Sequence, residues 1–119
     1  MGITQATVRL INPVARARTI EVEMLVDSGA IFSVVPAHVL RGIGVTPESA
    51  ETFDLADGRP VRREIGNVLY EIGGSTRAAP VVFGRRGDAC LLGAVTLEAL
   101  GLRLDPLRRQ RKPLKLMIA

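Results

Sequence analysis

The sequence predicts a small, strand-rich domain, a barrel or sandwich of short strands with one convincing helix near its C-terminal end. Three observations carry this expectation. Polar and apolar residues alternate over Thr4 to Leu10 and Thr19 to Val26, the period of a half-buried strand. Turn signals recur at Asn12-Pro13, Asp57-Gly58, Gly73-Gly74-Ser75 and Arg85-Arg86-Gly87-Asp88. Only Ala94 to Leu100 combines an apolar helical pattern with an opening Gly93 and a C-terminal Gly101.

Taken in order, Thr4–Leu10 and Thr19–Val26 form a hairpin, the second strand placing Ile20, Val22, Met24 and Val26 on one face. Ile31 to Val35 makes another strand, and Pro36 suits the start of a brief helix through Val39 and Leu40 that Gly42 and Gly44 stop. Glu51 to Leu55, the turn Ala56-Asp57-Gly58-Arg59 and the long stretch from Pro60 to Ile72 form a projecting hairpin. Ala79 to Phe83 returns as a strand and Cys90-Leu91-Leu92 leads into the helix. Leu114 to Ile118 is expected as a terminal strand.

A chain of 119 residues, 47% of them hydrophobic, forms one domain, 1–119, with an ample core. Aromatic residues are scarce, with no Trp, one Tyr and three Phe, so the core is Val, Leu, Ile and Ala and few side chains can stack on bases. The formal charge of +4 is concentrated in Arg103, Arg108, Arg109, Arg111, Lys112 and Lys115, opposed by Asp105. A solvated turn between two strands accounts for that run, and nucleic acid is not expected as a partner.

Cys90 has no second cysteine to bridge, and with His38 alone it makes no zinc set, so neither metal nor cofactor is expected. Cys90 reads as a small core residue and His38 as a surface helix residue. Met1 to Leu10 lacks a basic stretch followed by an apolar run of signal-peptide length, and no window approaches the ~20 apolar residues of a membrane span. The expected setting is cytoplasmic, with no membrane partner.

Within this pattern Asp27 is out of place. It follows the apolar Met24-Leu25-Val26 and precedes Ser28 and Gly29, so a turn delivers a carboxylate between two apolar strands, where an unpartnered charge is costly. An isolated Asp-Ser-Gly is an ordinary turn. Leu25-Val26-Asp27-Ser28-Gly29-Ala30, followed by the strand Phe32 to Pro36, resembles the active-site loop of aspartic proteases of the retropepsin kind. Leu91-Leu92-Gly93 ahead of a helix is similar to that family's second signature. Leu-Ala-Asp-Gly-Arg at 55–59 and Leu-Gly-Ala at 92–94 look closest to the single-domain bacterial proteins of the clan.

The resemblance implies a small closed β-barrel of the retropepsin type with one C-terminal helix. It implies an aspartic endopeptidase that hydrolyses peptide bonds in peptides or proteins. In that chemistry two carboxylates sharing one proton activate a water, the ionised one accepting its proton while the protonated one hydrogen-bonds the carbonyl oxygen. The chain offers one such loop, so the resemblance implies a homodimer with Asp27 of each copy at a twofold axis. Ser28 then bonds across the axis, Gly29 lets backbone come close to the substrate, Ala30 lines the site, and Leu92 and Gly93 support the loop. The hairpin with Asp57, Gly58 and Arg59 at its tip corresponds to the flap. Two positions depart from the family: Ala94 stands where viral retropepsins usually carry an Arg that ties the dimer, and the flap tip is charged rather than mostly glycine and apolar. The alternative reading is a dimeric binding or scaffold module that keeps the fold with weak catalysis.

Overall fold

The computed structural model describes residues 4–105 and 110–113, with side chains through Leu102. The elements are β1 (Gln5–Ile11), β2 (Thr19–Val26), β3 (Ser33–Pro36), α1 (Ala37–Gly42), β4 (Ser49–Asp54), β5 (Pro60–Ile72), β6 (Ser75–Gly84), β7 (Leu91–Leu92), α2 (Ala94–Ala99), β8 (Leu102–Asp105) and β9 (Gln110–Pro113). Seven strands form one sheet in the order β1-β2-β7-β3-β6-β5-β4, and a further pairing of β1 with β5, Arg9 opposite Glu71, closes six of them into a ring. Closure leaves no open edge among those six, and β4 hangs outside the ring on β5.

The core fills the ring. Strand alternation sends Ala6, Val8 and Leu10 of β1 inward, where they meet Met24, Val35, Val68, Val81 and Leu92. Leu40 of α1, Leu97 of α2 and Leu100 at the end of α2 close over the same cluster. Tyr70 and Phe83 are its largest fully enclosed side chains. β5 does two jobs along its length: Ile65 to Ile72 pair with β6, while Pro60 to Glu64 pair only with β4. The β4–β5 arm therefore projects beyond the ring, as the sequence predicts.

Several boundaries differ from the expectation. β3 starts at Ser33 rather than Ile31, because the carbonyls of Ala30 and Ile31 accept the N–H groups of Ala94 and Val95 instead of joining the sheet. β6 begins at Ser75, four residues before Ala79, because the tight Gly73-Gly74 turn lets Ser75 pair at once with Ile72. Ile20 is exposed where alternation placed it with Met24 inside. The basic stretch is not simply a turn: Arg103, Arg111 and Lys112 stand in the β8–β9 hairpin. Leu114 to Ile118 lies outside the described residues. No helix among the described residues is long and apolar enough to cross a membrane.

Candidate active site

Asp27 stands just past the end of β2 in a tight loop fixed by main-chain bonds. Its N–H donates to the carbonyl of Leu92 at 3.0 Å, and the Ala30 N–H donates back to the Asp27 carbonyl at 3.2 Å. One carboxylate oxygen, Oδ1, accepts the Gly29 N–H at 2.9 Å. The side chain is nevertheless exposed, so the charge is presented to solvent rather than buried in the apolar strands that flank it.

The loop is locked to the start of α2. The first N–H groups of a helix lack partners within it, and Gly93 supplies no side-chain cap. Ala30 and Ile31 fill that need with their carbonyls, accepting Ala94 N–H at 2.7 Å and Val95 N–H at 3.1 Å. Gly93 is buried where the two segments touch. A Cβ there would lie 2.6 Å from the carbonyl carbon and oxygen of Phe32, so the close approach needs glycine.

Below the loop lies a hydroxyl pair that the sequence reading missed. Ser33 Oγ accepts the Gly93 N–H at 3.0 Å and sits 2.7 Å from Thr96 Oγ1, both residues fully buried. Tyr70 donates its hydroxyl to the Pro80 carbonyl at 2.9 Å. Burial pushes its phenol up, while the neighbouring hydroxyls of Ser33 and Thr96 oppose that shift. A serine within Phe32-Ser33-Val34 is the sequence signal that could have flagged this network, since buried polar groups need partners.

A cleft of about 630 Å³ opens over the loop. Asp27, Gly29 and Ala30 line it together with Ile31 and Phe32 just ahead of β3, with Val34 and Leu91 from the ring, and with Phe53 and Val61 from the projecting arm. Phe32 and Phe53 meet edge to face across it, ring centroids 6.1 Å apart. Ser28 is exposed beside Asp27, and Leu92 and Gly93 lie beneath the loop rather than on the cleft wall.

Of the arm, Leu55 and Ala56 reach the cleft, whereas Asp57, Gly58 and Arg59 form its exposed tip and are not part of the lining. The tip closes on itself: Gly58, at φ +86°, donates to the Leu55 carbonyl at 2.8 Å, and Asp57 accepts both the N–H and the Nε–H of Arg59, at 3.0 and 2.7 Å. These two bonds, the backbone one foremost, hold the Asp57 carboxyl below the usual carboxylate range.

The second missed feature borders the cleft on its polar side. Arg63 of β5 makes a two-pronged contact with Asp88, Nε to Oδ2 at 2.8 Å and Nη2 to Oδ1 at 3.0 Å. Asp88 also accepts the Arg85 N–H at 2.7 Å. The Arg63 hydrogen bonds, against the opposing effect of burial, hold the Asp88 carboxyl below its ordinary value. The pair thus stays ionised into acidic solution and breaks only as pH falls through that lowered value. Residues 25 positions apart on an arm and a turn gave no joint signal in the sequence.

Among the described residues no cluster of His, Cys, Asp and Glu could hold a metal ion. His38 is exposed on α1. Cys90 is half-buried against the core, and burial pushes its thiol up, away from the thiolate a nucleophile needs.

No protein-family model matches the chain, and no curated protein matches it in sequence. Solved structures do match it, among them the solution structure of the Simian Foamy Virus (mac) protease, with a TM-score of 0.54 and 16% identity over 79% of this chain and 91% of that one. A likeness at that identity is one of fold. The chain has an all-β fold of the retropepsin-like type.

Proposed function

We propose that the protein is a homodimeric aspartic endopeptidase in which Asp27 of each copy contributes one carboxylate to a shared site. The observation that carries this reading is the exposed Asp27, anchored by the Leu92 carbonyl at the floor of a 630 Å³ cleft under a projecting hairpin. The geometry suits water activation: a carboxylate held by its own loop, open to solvent and substrate, and bordered by apolar residues that can receive substrate side chains. Asp88, the other carboxylate on the ring side of the cleft, is committed to Arg63, so it is not free to share a proton with Asp27. Asp54, the remaining carboxylate of the cleft, stands on the arm at the end of β4, and the partner carboxylate in this reading comes from a second copy. Peptides or proteins are the substrates, and the β4–β5 arm is the lid.

Sedimentation of the purified protein with and without a transition-state-mimicking inhibitor, alongside mass spectrometry of peptide libraries incubated from acidic to neutral pH, tests the reading. Inhibitor-sensitive cleavage by a dimer supports it. A monomer at high micromolar concentration even with inhibitor bound overturns the shared site. The self-contained Asp57–Arg59 tip favours a second reading, a binding module with weak catalysis, which predicts peptide binding without turnover.

The arm gives a separate expected outcome. Its strands pair only with each other beyond Ile65, so the amides of Leu55 to Val61 should exchange fast in the free protein and become protected when a peptide-like inhibitor binds. Equal protection in the two states argues against a closing lid.

A further inference from the structure

The cleft is apolar except at its carboxylates and at one cation, Arg63. A guanidinium on the wall of a peptide cleft ordinarily attracts acidic side chains through paired N–H donors. Here that face is already used. Nε and Nη2 are taken by Asp88 and Nη1 donates to the Arg62 carbonyl at 3.0 Å, while the Asp88 carboxylate is completed by the Arg85 N–H. Both side chains are mostly covered, 17% and 23% exposed, so the pair is screened less than surface ion pairs such as Arg9–Glu21 at 48% and 61%. It also bridges two walls, joining the returning strand of the arm to the turn ahead of β7.

We infer that Arg63–Asp88 is a specificity-determining pair: Asp88 neutralises and immobilises the guanidinium, so that this stretch of the wall receives an uncharged substrate side chain and refuses an acidic one. The inference rests on the reading of the cleft as a peptide-binding site. A substrate carboxylate arriving beside Arg63 meets Asp88 as well, and the like charge cancels the attraction. An apolar side chain meets a neutral pair continuous with Val61 and Leu91. Of the other acids nearby, Glu51 stands on β4 directly opposite Arg63 and is exposed, and Asp54 borders the cleft from the end of β4. Neither makes the two-pronged contact that Asp88 makes.

Asp88→Asn isolates the charge, since the amide oxygen can still accept the Arg85 N–H while Arg63 is left without its counter-ion. Peptides cleaved by the wild type, resynthesised with Glu, Lys or Leu at each position around the scissile bond, provide the readout as kcat/KM. The wild type should discriminate against Glu at one position. Asp88→Asn should raise Glu relative to Leu there by about tenfold, and Glu51→Gln added to it should preserve or enlarge the gain. Adding Arg63→Met instead should abolish it. A pair that only braces the arm would lower cleavage of all these peptides alike, and that result overturns the inference, as does wild-type cleavage of Glu and Leu peptides at parity at every position. If Asp88→Asn does not fold, Arg63→Met with Asp88→Leu removes both charges and should keep the preference for uncharged residues, whose loss counts against the proposal. The same peptides, read by binding to the Asp27→Asn protein with and without Asp88→Asn, separate the two claims: a Glu gain in binding on adding Asp88→Asn without turnover by the wild type supports the pair while removing the protease reading, and turnover without any Glu gain does the reverse.

Discussion

Asp27→Asn is expected to leave a folded protein whose peptide cleavage is lower by roughly 10²–10⁴-fold, the range for loss of a positioned proton acceptor. The structure gives the reason to expect that loss of the proposed activity and loss of the fold separate at this residue. What holds the loop is main chain, the Asp27 N–H on the Leu92 carbonyl and the Ala30 N–H on the Asp27 carbonyl, which the substitution does not touch. The single structural bond of the side chain, Oδ1 accepting from Gly29, can be made equally by an amide oxygen. The carboxylate is exposed, so removing its charge relieves no burial and opens no cavity, and stability should stay within about 0.5 kcal/mol of the wild type. On the proposed mechanism, a dimer with amides on both sides would have nothing to take the proton of an attacking water. Cleavage at the wild-type rate by a folded Asp27→Asn dimer would reduce Asp27 to the acid of a turn.

Gly93→Ala is expected to do the opposite, harming the fold at a position with no chemistry of its own. Gly93 has φ −91° and ψ 176°, extended backbone that any residue adopts, so the requirement is for space and not for conformation. The new methyl would sit 2.6 Å from two backbone atoms of Phe32 and 2.9 Å from the Ile31 carbonyl oxygen. Backbone cannot rotate away as a flexible side chain does. The two segments must separate, stretching the bonds from Ala94 and Val95 to the loop carbonyls and the Gly93 N–H bond to Ser33. A loss of about 3 kcal/mol follows, read as a fall in Tm of roughly 10 °C or more. Gly42→Ala is the control: nothing lies within 4 Å of the added carbon, and the residue ends α1, where alanine is the better helix former. If Gly93→Ala melts with the wild type, the close contact between the loop and β7–α2 is not what holds Asp27 in place.

Much of this site was legible in the chain because its determinants are local. Asp27-Ser28-Gly29 announces a turn by residue type, and Asp57-Gly58 and Gly73-Gly74 mark both ends of β5 so sharply that Pro60 to Ile72 could be delimited from alternation and punctuation alone. Gly101, at φ +68°, ends the helix where a glycine after an apolar run should. What the tertiary structure alone decided depends on residues far apart meeting. Gln110-Arg111-Lys112-Pro113 has no apolar alternation and becomes a strand only by pairing with Leu102–Asp105. Closure of the ring needs Arg9 to find Glu71, and the wall of the cleft needs Arg63 to find Asp88; each residue taken singly reads as an ordinary surface charge. Periodicity reports which face of a strand is apolar, and turn chemistry reports where it stops, but neither states which strand lies beside it. That choice is made by packing the core of the ring, where Ser33 meets Thr96 beneath the loop and Gly93 is pressed against Phe32, and it fixes the surroundings of a carboxylate that the sequence could only point to.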